Sequence, residues 1–313
     1  MVFNDYLCFM LKKVFLYFLL SLWFFDLSYG QQVGAEMKGL KVRSKHSVIS
    51  NKIDKEITES SGLIFFDNGL WTLNDGGNPP FLYKIDTHSG KILRQVFISN
   101  ALNNDWEALT QDEDWVYIGD FGNNFGKRRD LQILKVSKKD MVKDTVQAEV
   151  IQFSYSNQRD FQLPMNGHNF DCEAFCAIGD SLYLFSKNWA DHKTCVYALP
   201  KYPGKYMISP VDSFNSEGLI TDADYDEDTR TLVLIGYDIK KVCVHSFLWL
   251  CKDFEGRNFF SGKQKRVKLH LFLKQTEALA HDENSGYYFT NEMIRKSLLH
   301  IRPKLYKLKL IMN

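Results

Sequence analysis

The sequence has almost no net charge, few cysteines, no long apolar span, and none of the compact motifs that announce a common chemistry. Its 39 Lys and Arg residues balance 38 Asp and Glu, and the formal charge of +1 gives no global field for nucleic acid or an acidic membrane. Six cysteines in 313 residues are too few and too dispersed for a disulfide framework. Cys172 and Cys176 have no second ligand pair nearby, which argues against a zinc site. Cys243 and Cys251 are spaced either to meet across a hairpin or to remain as buried thiols. There is no Gly-x-Ser-x-Gly elbow, no His-Glu-x-x-His helix and no glycine-rich phosphate loop, since Gly76-Gly77-Asn78-Pro79 reads as a turn. Low-complexity tracts and heptads are also missing.

The first thirty residues differ from the rest. Lys12 and Lys13 precede an apolar run from Val14 to Phe25, and Ser28-Tyr29-Gly30 presents small residues where a signal peptidase reads them. The run is shorter than the roughly 20 residues a membrane helix needs. The expectation is a signal peptide over 1–30, a linker over 31–39 and one domain over 40–313. That implies a secreted, periplasmic or cell-surface protein with no transmembrane span in the mature chain; an uncleaved N-terminal anchor is the alternative.

What is present is a degenerate repeat. Glu59-Ser-Ser-Gly-Leu63 leads into Leu70-Trp-Thr-Leu-Asn-Asp75, and Asp105-Trp-Glu-Ala-Leu109 leads into Val116-Tyr-Ile-Gly-Asp120. Asp171-Cys-Glu-Ala-Phe175 precedes Leu182-Tyr-Leu-Phe-Ser-Lys-Asn188, and Gly218-Leu-Ile-Thr-Asp-Ala-Asp224 precedes Leu232-Val-Leu-Ile-Gly-Tyr-Asp238. Gln275-Thr-Glu-Ala-Leu279 precedes Tyr287-Tyr-Phe-Thr-Asn-Glu292. Each unit is an acid, a short apolar strand, a tight turn and a second strand closing on Asp, Asn or Glu. Third strands follow, with fourth strands at Leu93–Ile98 and Val146–Phe153. The runs are short, rich in aromatic and β-branched residues, and bounded by turn formers.

Four strands per unit at this spacing predicts an all-β fold, a β-propeller of four-stranded blades. Five units are visible; a sixth is possible if the stretch from Asp120 to Gly167 hides one. The final unit lacks a fourth strand, and the lone N-terminal strand at Leu40–Ile49 is expected to complete it and close the ring.

Strand direction then predicts a site. The start of each first strand and the end of each antiparallel second strand lie at one face. That gathers Glu59, Glu107, Glu173, Asp222, Asp224 and Glu277 as candidate metal ligands, with Asp105, Asp171 and Glu292 nearby. The strand-end residues Asn74, Asp75, Asp120, Asn188, Asp238 and Asn291 are candidate ligand-binding residues. In the fourth unit the register is open between Glu217, Asp222 and Asp224, and spacing favours Asp222. So many carboxylates repel one another unless a hard cation with oxygen ligands intervenes, and calcium suits such a set. The competing interpretation is that Asp and Asn at strand ends stabilise turns through side-chain hydrogen bonds.

The opening motifs, with Ile118-Gly-Asp-Phe-Gly-Asn-Asn124, His168-Asn-Phe-Asp-Cys-Glu-Ala174 and Gly218-Leu-Ile-Thr-Asp-Ala-Asp-Tyr225, resemble exported β-propeller proteins of Bacteroidota with no assigned activity. More distantly, the first motif is similar to the SdiA-regulated family, which implies a five-bladed propeller with calcium near its centre. Two functions follow. One is a binding platform whose mouth recognises a small molecule, glycan or partner protein, with Trp106, Trp115 and Trp189 available for stacking. The other is a calcium-dependent hydrolase of lactonase or phosphoesterase type, with His168 as the candidate base.

Overall fold

The computed structural model describes residues 42–312 except 51–52, 241–242, 272–273, 285, 293 and 297–298. The expected signal peptide and linker lie outside the described residues.

Five innermost strands, Ser60–Phe66, Trp106–Gln111, Cys172–Ile178, Leu219–Asp226 and Thr276–Asp282, each begin one blade, antiparallel through its first four strands. Their side chains are almost all buried, because each strand packs against neighbouring blades on both faces. Outer strands such as Ile92–Ile98 and Gly204–Ile208 instead alternate between cover and exposure. Five hydrophobic clusters fill the gaps between successive blades. Trp71 and Trp106 lie between blades one and two, Phe121 and Phe175 between two and three, and Phe185 and Phe247 between three and four. Leu248 and Phe289 lie between four and five, and Leu70 and Tyr288 between five and one. The ring is closed as expected: Val42–Ser50 pairs antiparallel with Leu305–Met312 as the outer strand of blade five.

Two details depart from expectation. The fourth strand placed at Val146–Phe153 is two strands: Thr145–Val146 runs parallel to Phe97 and Ile98 of blade one, and Glu149–Tyr155 belongs to blade two. Asn100 divides them by donating to the carbonyl of Ala148 and accepting its N–H, both at 2.9 Å. The stretch from Asp120 to Gly167 therefore supplies outer strands and loops, and the blade count is five. Finally, Cys243 and Cys251 cannot meet across a hairpin, because both lie on the single strand Cys243–Lys252; the described cysteines are free thiols.

Candidate functional site

Each innermost strand carries a register shift near its start: between Ser60 and Leu63, Trp106 and Ala108, Cys172 and Ala174, Ile220 and Asp222, and Thr276 and Leu279. A β-bulge re-aims the extra side chain, and here it makes one ring of equivalent positions: Ser61, Glu107, Glu173, Thr221 and Glu277. A second ring comes from the ends of the second strands: Asp75, Lys187 and Glu292 lie just past them, Gly122 two residues past, and Tyr237 within Thr231–Lys240. The N–H groups of Asp75, Gly122, Lys187 and Glu292 donate to the carbonyls of Glu59, Asp105, Asp171 and Gln275 at 2.9–3.2 Å, and Tyr237 pairs with Leu219 in the fourth blade.

These rings enclose a cavity of about 170 Å³ at one mouth of the channel. Six carboxylates line it, from Glu59, Asp75, Glu107, Glu173, Glu277 and Glu292, against one ammonium, that of Lys187. Trp189 and Tyr237 supply aromatic wall, and Asn124 and Asn166 reach it from loops tied together by the Asn166 N–H to Asn124 carbonyl bond of 3.1 Å.

The structure separates the expected site residues. Glu59, Asp75, Glu107, Glu173 and Glu277 are brought together. Asp222 is not: Thr221 holds the bulge position, and its hydroxyl donates to the Thr276 carbonyl at 2.8 Å. Asp222 stands where the other blades have Gly62, Ala108, Ala174 and Ala278, and its carboxylate accepts the Leu279 N–H of blade five at 2.6 Å. Asp224 accepts the His281 N–H at 2.9 Å and lines a different cavity of about 440 Å³ at the opposite ends of the inner strands. Most strand-end residues are engaged in local hydrogen bonds. Asn74 accepts the N–H groups of Thr58 and Glu59, Asp120 pairs with Arg128, and Asn188 accepts the Ser186 hydroxyl. Asp238 pairs with Arg266, and Asn291 donates to the carbonyls of Glu292 and Arg302. His168 is buried outside the cavity: Nε2 sits 3.1 Å from the Asn124 carbonyl, and Nδ1 accepts the Phe170 N–H. Trp106 is core and Trp115 is away from the mouth, whereas Trp189 lines it and donates to Asp171 at 2.9 Å.

Asp75, Asp105 and Glu107 form the tightest group, with one ligand atom of each within 4.8 Å of the others. Two glycines make the room. A Cβ at Gly122 would meet Glu107 Oε1 at 2.5 Å and Asp105 Oδ2 at 2.6 Å, and one at Gly76 would meet Asp105 Oδ1 at 2.7 Å. Among the described residues no hydrogen-bond donor reaches the carboxylates of Asp105 or Glu107. Burial is the first reason that the Asp75 carboxyl is pushed up to about 7 and that of Asp105 to about 6, with neighbouring carboxylates adding to both. Glu107 is raised well above the ordinary range by burial and then by Asp75 and Glu173. Across the mouth, Lys187 donates to both carboxylate oxygens of Glu173, and that attraction outweighs burial to keep it charged. The recurring glutamates signalled one ring. Gly122, Lys187 and Tyr237 share a place in the second ring without sharing a residue type, so no repeat signal marks them.

No protein-family model matches the chain, and no curated protein matches it. Among solved structures it is similar to Kuenenia stuttgartiensis Hydrazine Synthase, at a TM-score of 0.39 and 12% identity, over 83% of this chain and 64% of that one. The chain thus spans less than two thirds of that relative, and a likeness this distant carries no functional argument. The five-bladed propeller rests on the strand pairing itself.

Proposed function

We propose that the protein is a ligand-binding platform whose mouth holds a divalent cation, calcium by the chemistry of its donors, on Asp75, Asp105 and Glu107. The observation that carries this is the glycine-lined convergence of three carboxylates, two of them without hydrogen-bond donors. Three carboxylates fit an ion that takes six to eight oxygens flexibly, and they leave positions for water or a ligand. The ion would also relieve the mutual repulsion of the ring. We further place the protein outside the cytoplasm, on the sequence pattern of residues 1–30. A hydrolytic role lacks support in the geometry, because His168 spends both ring nitrogens on the backbone away from the cavity.

Thermal melting of the protein with calcium and then with chelator tests the proposal. Calcium is expected to raise the melting temperature of the parent and to leave Glu107→Gln unchanged. Gly122→Ala should also abolish the response, since its new methyl displaces the carboxylates of Asp105 and Glu107. A parent that melts identically at millimolar calcium and in chelator would sink the idea.

A further inference from the structure

The mouth has two halves with different chemistry. Blades one and two supply the acids of the cation cradle; blades three to five supply Glu173, Lys187, Trp189, Tyr237 and Glu277. In this second half the fold already shows how it holds an ammonium. Lys187 donates to both oxygens of Glu173, and its Nζ lies 5.0 Å from the Trp189 ring centroid and 5.5 Å from that of Tyr237. A carboxylate flanked by aromatic faces is a favourable setting for an organic cation.

Beside this pair, two groups lack such a partner. Tyr237 is 1% exposed and lines the cavity, yet its hydroxyl has no hydrogen-bond partner among the described residues. Glu277 is 8% exposed, lines the same space, and receives no donor among them either. Both residues are nearly buried, yet their polar atoms open on the cavity without a protein partner among the described residues, and a ligand carrying N–H groups supplies what both lack. A second metal ion fits less well. Among the described residues the one group of three metal-ligating side chains within 4.8 Å is the cradle in the other half.

We propose that this half of the mouth binds an organic cation: a primary ammonium or guanidinium on a slim aliphatic chain, held by Glu277 and the Tyr237 hydroxyl, with Trp189 against its carbons. The proposal rests on the mouth being a ligand site and does not require the cradle to be filled. The same group occurs on a free polyamine and on a lysine or arginine side chain of a peptide.

Calorimetric titration of the full chain distinguishes these sources, using putrescine, N-acetyl-lysine amide and the neutral ε-acetylated form of the latter, each with calcium and with chelator. A charged probe is expected to bind and the neutral one is not. Tighter binding of putrescine assigns a free amine; tighter binding of the lysine derivative assigns a peptide side chain. Glu277→Gln should weaken binding roughly tenfold and Tyr237→Phe about fivefold, as loss of a charge-assisted and a neutral hydrogen bond implies. Both variants should keep the calcium-induced melting shift. No binding of either charged probe, or equal binding by Glu277→Gln, overturns the proposal; a calcium shift retained in that case leaves the cation cradle standing. Amine binding without any calcium shift supports the proposal and removes the cradle.

Discussion

At the scale of single residues, the mouth is an arrangement that opposes folding when nothing compensates its charge. Asp75 holds its proton to about 7 and Asp105 to about 6, chiefly because burial disfavours their ionised forms. In the unfolded chain both release it near 4. Between about 4 and about 7 these two groups therefore bind more protons in the folded state than in the unfolded one, so their contribution to stability falls as pH rises through that window. In chelator, the melting temperature is expected to decline from pH 4.5 to pH 7.5 and less steeply in Asp75→Asn. A cation competes with the same protons, so its stabilising effect should grow over the same interval. Denaturation followed at several pH values, with and without calcium, checks both. A flat profile in chelator would show that these acids are solvated rather than buried. The glutamates of the first ring were legible because Trp-Glu-Ala-Leu, Cys-Glu-Ala-Phe and Thr-Glu-Ala-Leu recur nine or ten residues before the next strand. Gly122 was not, since its contribution is the absence of a side chain.

At the scale of the strand, the repeated bulge decides which side chain faces the mouth. It turns Glu107, Glu173 and Glu277 inward and leaves the following residue, small in four blades, at the contact between blades. Gly62 illustrates the closeness of that contact: a Cβ there would lie 2.5 Å from the backbone nitrogen of Leu109. In blade four Asp222 occupies this position and links blades through the Leu279 N–H. Spacing alone favoured Asp222 as a ligand because a one-residue slip in a bulge is invisible in sequence. Asp222→Ala should leave that buried N–H without its acceptor, at a cost of about 1–3 kcal/mol, while the calcium response persists. Chemical denaturation of the variant with and without calcium separates the two roles; loss of the calcium response would return Asp222 to the ligand set.

At the scale of the whole ring, five interblade clusters depend on closure, because blade one completes its packing against blade five through Leu63, Leu70, Ala278 and Tyr288. The Val42–Ser50 strand covers the edge of Leu305–Met312, which would otherwise stand unpaired. A chain beginning at residue 54 is therefore expected to lose its single cooperative unfolding transition or to aggregate. A synthetic peptide spanning 42–50 should restore part of the transition. Scanning calorimetry of the truncated chain checks this, and an unchanged transition would mean that the closing strand is dispensable.

The order of apolar strands, turns and recurring acids was sufficient by itself to determine a propeller of four-stranded blades closed by its N-terminal strand, because strand length, alternation and turn chemistry are local properties of the chain; the count of five rather than six was decided by the strand pairing of 120–167. It also placed Glu107, Glu173 and Glu277 on one face, since each opens a first strand nine or ten residues before the second. Only the tertiary structure decided which acids meet. Asp75 and Asp105 lie thirty residues apart and converge where two glycines let two blades approach, while Lys187 removes Glu173 from the unpaired set by an ion pair. Proximity between blades is set by packing across the ring, and no local pattern encodes it.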